Sequence, residues 1–99
     1  MPKYDVYPAP EGTGYLLDVQ SDLLDGLNTR VVIPLLLEAG APAPARHLNP
    51  LIAIDGVRHV MVTQFLAAVP AGLLTGPVGN LADRADDITR ALDMVFLGV

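Results

Sequence analysis

Asp55-Gly56 stands between two apolar segments, Leu51–Ile54 and Val57–Thr63, in the stretch LIAIDGVRHVMVT. A two-residue connection of this kind needs positive φ at both positions, which Asp-Gly accepts far more readily than other dipeptides. The stretch therefore predicts a tight type I′ hairpin. One hairpin is marginal in water and must recruit further strands, and the chain supplies candidates. Lys3–Tyr7 (KYDVY) alternates and stops at Pro8. Tyr15–Gln20 (YLLDVQ) follows a loop, Pro8–Gly14, with two prolines and two glycines, so the pair reads as a second hairpin. Thr29–Leu35 (TRVVIPL) holds a β-branched run that Pro34 is expected to end or to place at a sheet edge. Ser21–Asn28 reads as a loop or short turn. Leu36–Ala45 reads as a helical turn leading into a Pro-rich connection, and Phe65–Gly79 as irregular chain with short strands near Val69-Pro70 and Leu73–Leu74.

After Asn80 the period changes. Leu81, Ala85, Ile88, Leu92 and Val95 recur at helical spacing, and Asp83, Arg84, Asp86, Asp87 and Arg90 occupy the other face. Asn80 suits an N-cap, Asp86 and Arg90 are spaced to pair, and Gly98 is a natural stop. The reading is one domain over residues 1–99, mainly β in an α+β arrangement: antiparallel strands closed by a C-terminal helix. The chain then finishes on Phe96-Leu97-Gly98-Val99. Terminal residues usually fray, so an apolar end implies core, interface or working surface.

Composition narrows the functions. Six basic residues stand against eleven acidic ones, for a net charge of −5, which disfavours direct nucleic-acid binding and suits a protein partner with a basic patch. No cysteine is present, so disulfide, thiolate and Cys-zinc chemistry are excluded. The start has no apolar signal region. Val60–Ala82 carries no charge, but Pro70, Gly72, Gly76, Pro77 and Gly79 interrupt it too often for a spanning helix. A cytoplasmic protein is expected. No catalytic set stands out: His47 lacks a nearby second ligand, His59 beside Arg58 reads as a solvent-facing strand residue, and GPVGN lacks the Lys of a phosphate loop. Ser21, the sole serine, followed by Asp22, reads as a turn cap.

The stretch LLDVQSDLLDGLNTRVVIPL (Leu16–Leu35) resembles the CcdB family of toxins. The carrying residues are Asp18-Val19-Gln20-Ser21-Asp22, Leu23-Leu24-Asp25 and Arg30-Val31-Val32-Ile33-Pro34-Leu35. LNPLIAIDG (Leu48–Gly56), MVTQFLAAVP (Met61–Pro70) and the hydrophobic-x-Gly-x ending follow in family order. The resemblance implies an SH3-like barrel of antiparallel strands with a small accessory sheet and a C-terminal helix. It also implies a homodimer that binds the A subunit of DNA gyrase, traps the DNA-cleavage complex and is neutralised by a CcdA-like antitoxin with a disordered tail. No enzymatic activity, cofactor or metal is implied. Carried over by position, the gyrase-facing residues are Leu23, Leu24, Asp93, Phe96, Leu97, Gly98 and Val99. The antitoxin-facing loop is Pro8, Ala9, Pro10, Glu11, Gly12, Thr13 and Gly14.

One position departs from the family. The best-known family pattern has Trp before the terminal Gly, stacking on a gyrase arginine; here the residue is Leu97. A cation–π contact is worth about 0.5–2 kcal/mol, so weaker gyrase binding, or binding by apolar burial alone, is expected. Two alternatives stay open. An endoribonuclease of the MazF/Kid type on the same fold would draw on Arg30, Arg58 and His59. A non-toxic homologue would retain only antitoxin binding.

Overall fold

The computed structural model describes residues 1–99. Seven antiparallel strands, β1 (Asp5–Pro8), β2 (Tyr15–Asp18), β3 (Thr29–Leu37), β4 (Leu51–Ile54), β5 (Val57–Met61), β6 (Ala67–Pro70) and β7 (Gly79–Asn80), precede one helix, α1 (Ala85–Leu97). Their order is β4-β5-β3-β2-β1-β7, with β6 branching onto β3. The strands form a half-barrel closed by the helix, an α+β SH3-like fold, and the accessory pairing takes the form of the β6 branch.

The registers explain where the core forms. Val6 faces Leu17 and Leu17 faces Ile33, while Tyr15 faces Leu35 and Leu35 faces Met61. These rows lie on one side of the sheet because alternate residues share a face. Ile88 and Ala91 of α1 cover them, with Ile52 completing the cluster. A smaller cluster of Tyr7, Val32 and Leu74 lies on the opposite face. Burial pushes the Tyr7 hydroxyl up from its ordinary value, and the Asp5 and Asp18 carboxylates add to the shift.

The Asp55-Gly56 hairpin forms as expected, with φ of 51° and 76° at the two turn positions. Gly14 closes the β1–β2 loop at φ 73°, and a Cβ there would lie 2.6 Å from the Leu35 carbonyl oxygen. Asn80 is not the helix N-cap: its side-chain oxygen accepts from the Ala82 N–H at 2.8 Å, but a 3-10 turn, Ala82–Arg84, comes between and Arg84 is the N-cap of α1. Gly98 stops the helix in the left-handed region and donates to the Asp93 and Met94 carbonyls.

Four further expectations are corrected. Thr29–Leu37 does not end at Pro34; the proline sits inside a nine-residue strand. It is tolerated because β3 changes partner there. Thr29–Val32 pair with β6 and Leu35–Leu37 with β5, while the Pro34 carbonyl accepts from Val62 N–H on that same side. In an extended strand a residue's N–H and C=O point the same way, so the missing donor faces the gap between β6 and β5. The helical turn expected from Leu36 is the end of β3, followed by a 3-10 turn at Glu38–Gly40. Leu73–Leu74 is not a strand; a 3-10 turn spans Ala71–Leu73. Asp86 and Arg90 do not pair: Arg84 reaches Asp87 at 2.9 Å, and Arg90 lies 3.2 Å from His47 Nδ1.

Candidate functional site

The motif residues between β2 and β3 build a frame for one turn. Asp18 ends β2 and Arg30 lies near the start of β3; their side chains are 0% and 1% exposed. Arg30 donates from Nε to Asp18 Oδ2 at 2.9 Å, and its Nη2 lies 2.6 Å from the same oxygen in an ion pair. The other Asp18 oxygen accepts the Gln20 N–H at 3.0 Å. Arg30 also donates to Asp25 Oδ1 at 3.2 Å and to the Met1 carbonyl at 3.0 Å. Burial pushes the Asp18 carboxyl up from the ordinary aspartate value, against the opposing pull of the Gln20 N–H and the Arg30 guanidinium.

On this frame sits a 3-10 turn, Asp22–Leu24, capped by Ser21, whose Oγ accepts from Leu23 N–H at 3.2 Å. The cap reading of Ser21 holds. Asp22 accepts the Lys3 N–H at 2.8 Å, tying the turn to the chain before β1. The buried Gln20 side chain joins turn to sheet: Nε2 donates to Leu24 O at 3.1 Å and Oε1 accepts from Val31 N–H at 3.1 Å. The result is a turn hydrogen-bonded on several sides that projects Leu23, 95% exposed, with Leu24 and Leu27 half-exposed beside it. Leu27 is missing from the residues singled out by sequence; its signal is a third leucine in the same seven residues.

The other candidate residues end α1. Ile88 and Ala91 are buried, Met94 and Val95 half-buried, and Asp93, Phe96, Leu97, Gly98 and Val99 exposed. Leu97 is 69% exposed. No hydrogen bond or ion pair joins this end directly to the Leu23 turn. The branch strand stands between their neighbourhoods: β6 pairs with the start of β3, and it follows the 3-10 turn Thr63–Phe65 on which α1 packs.

Pro8, Gly12, Thr13 and Gly14 of the loop line a groove of about 430 Å³ whose other wall includes Leu37, Ile54, Val57 and His59. Pro8, Pro10, Glu11, Gly12 and Thr13 are exposed and Gly14 is half-buried, but Ala9 is buried. The Ala9 N–H donates to the Gly14 carbonyl at 3.1 Å and closes the loop.

Of the residues that an endoribonuclease would draw on, His59 and Arg58 have partners within the fold. His59 is buried, not solvent-facing: its Nδ1 lies 2.9 Å from the Val57 carbonyl and its ring meets Tyr15 edge-on. Neighbours on a strand point to opposite faces, and it is Arg58 that points outward, to Glu38 at 2.9 Å. No group of three or more His, Cys, Asp or Glu is gathered as a metal site would require.

The sequence motif thus frames one exposed leucine-bearing element, the Leu23 turn, while Ile88 and Ala91 seat the other, the uncovered helix end. The family model described as CcdB protein matches residues 3–98 of the 99. With a match over nearly its whole length, this chain belongs to the CcdB family.

Proposed function

We propose that this chain is the toxin of a type II toxin–antitoxin module: a homodimer that binds the A subunit of DNA gyrase, traps the gyrase–DNA cleavage complex and is neutralised by a CcdA-like antitoxin. The observation that carries the reading is the CcdB match across residues 3–98. Residues 1–99 act as one toxin domain in the cytoplasm, where gyrase works; no helix is long and apolar enough to cross a membrane.

The gyrase-facing residues are Leu23 and Leu24 on the framed turn and Asp93, Phe96, Leu97, Gly98 and Val99 at the helix end. Their exposure supports this assignment, since leaving a large apolar side chain in water forgoes roughly 1.5–3 kcal/mol of burial. A partner surface recovers that energy. The net charge of −5 favours a basic protein partner. The antitoxin-facing loop is Pro8–Gly14, beside the groove. An endoribonuclease would need Arg30, Arg58 and His59 at a phosphate, yet Arg30 and His59 are buried and Arg58 is paired with Glu38.

The direct test incubates purified protein with gyrase, supercoiled plasmid and ATP, and separately with RNA alone. Linear DNA that accumulates only when gyrase is present is the expected product. RNA cleavage without gyrase would overturn the proposal. A second expectation concerns Leu97: the Leu97→Trp variant should bind gyrase A more tightly, by about 0.5–2 kcal/mol for each engaged copy. Calorimetric titration against gyrase A measures this, and an unchanged affinity would remove the stacking explanation.

A further inference from the structure

The Leu23 side chain is almost wholly in solvent, so no packing aims it. Its position depends on the backbone of the turn, and that turn has four side-chain ties. Ser21 Oγ holds Leu23 N–H, Asp22 Oδ1 holds Lys3 N–H, and the Asp25 carboxylate meets Arg30, each through an exposed group where water competes. The fourth tie is different. Gln20 is 5% exposed, and its single amide spans from the Leu24 carbonyl to the Val31 N–H. It links the turn directly to β3, and its own N–H is held by Asp18, which Arg30 fixes in turn.

We infer that Gln20 is a positioning residue of the gyrase-facing surface: its side-chain amide fixes the Leu24 carbonyl to the sheet and so aims Leu23 at the partner. The assignment rests on the gyrase-poison reading. Gln20 touches no partner itself. It lowers the ordering that binding would otherwise demand of the turn, and preorganisation of this kind raises affinity without adding a contact.

The chemistry of the amide allows a selective test. Gln20→Glu keeps an oxygen for Val31 N–H and replaces the donor to Leu24 O with an acceptor. The charged groups bound to this segment are Asp18, which accepts the residue's own N–H, and Arg30, which holds Asp18 and Asp25; the ionised form repels the Leu24 carbonyl while the protonated form can donate to it again. Amide exchange by NMR and affinity for purified gyrase A would be measured on wild type and variant. The expected result at about pH 8 is roughly tenfold faster exchange at Leu24, Asp25 and Leu27, unchanged exchange in β2 and β5, and roughly tenfold weaker gyrase binding. The affinity gap to wild type should narrow as the pH falls toward about 5. Gln20→Asn, too short to span both partners, should reproduce the loss if the charged variant folds poorly.

Faster exchange in the turn with unchanged gyrase affinity would overturn the assignment, as would unchanged exchange. Equally faster exchange throughout the sheet would reduce Gln20 to a structural role and overturn it too. Wild-type protein that fails to bind gyrase A sinks the functional reading and the assignment together; wild-type binding with unaffected variants sinks the assignment alone.

Discussion

Arg30→Met should lower the stability of the folded protein by about 3–5 kcal/mol, because it strips the partner from a buried carboxylate rather than deleting a surface charge. In a domain of this size each kcal/mol is worth roughly 4–8 °C in melting temperature, so a fall of about 15 °C or more is expected in a calorimetric scan. The variant should also acquire a pH signature. Burial already places the folded-state pKa of Asp18 above the ordinary aspartate value, and removing Arg30 takes away interactions that hold it down. The folded state then keeps its proton more tightly than the unfolded chain. Stability from this group is greatest below the ordinary aspartate pKa and falls as pH rises through the raised folded value. Melting temperature should therefore drop more steeply between mildly acid and neutral pH in the variant than in wild type. Adding Asp18→Leu should recover part of the loss, since an apolar pair often replaces a buried ion pair at little cost. A melting temperature unchanged by Arg30→Met would mean that the pair is hydrated in solution.

Removing Leu97–Val99 should abolish growth arrest while leaving a folded protein. Ile88 and Ala91, the helix residues in the core, lie upstream of the cut. Leu97 and Val99 are exposed, and Gly98 contributes the two hydrogen bonds that close the last turn. Losing that cap costs about 1 kcal/mol, too little to unfold a typical domain. Induced expression in a gyrase-sensitive host, paired with circular dichroism and size-exclusion chromatography of the purified truncation, reads both halves. An unfolded truncation would show that the tail belongs to the core, and a truncation that still arrests growth would move the working surface elsewhere.

Strands β1 to β6, the turn dipeptide and the helix were legible because each depends on local chemistry: positive φ at Asp55-Gly56, alternation in Lys3–Tyr7, a 3.6-residue period after Asn80; β7, only Gly79-Asn80, carries no such pattern. The residues that frame the Leu23 turn were legible only as a motif. Asp18 within YLLDVQ and Arg30 before VVI are charges in apolar strands, which hints at burial. Only the β2–β3 register and the cover given by Met1 and Asp25 make them partners. Burial of His59 rather than Arg58 is likewise a matter of which strand face meets the core. Ala91 was missed from the helix stripe because Leu92, four residues after Ile88, fills the same turn of the pattern, although Ala91, three residues after it, is the one fully buried. Nothing local in the sequence sets the spatial relation of the Leu23 turn to the helix end.

Pro34 has a bearing on how the chain avoids misfolding. Strand β3 serves two partners in succession, and a strand shared in this way invites errors, since β6 could slide along it into the stretch that belongs to β5. A one-residue slip would also turn every side chain of the sliding strand to the wrong face. At the boundary the strand offers a carbonyl already taken by Val62 and no N–H at all. The proline thus works as a register stop, a position at which neither neighbour can extend its ladder.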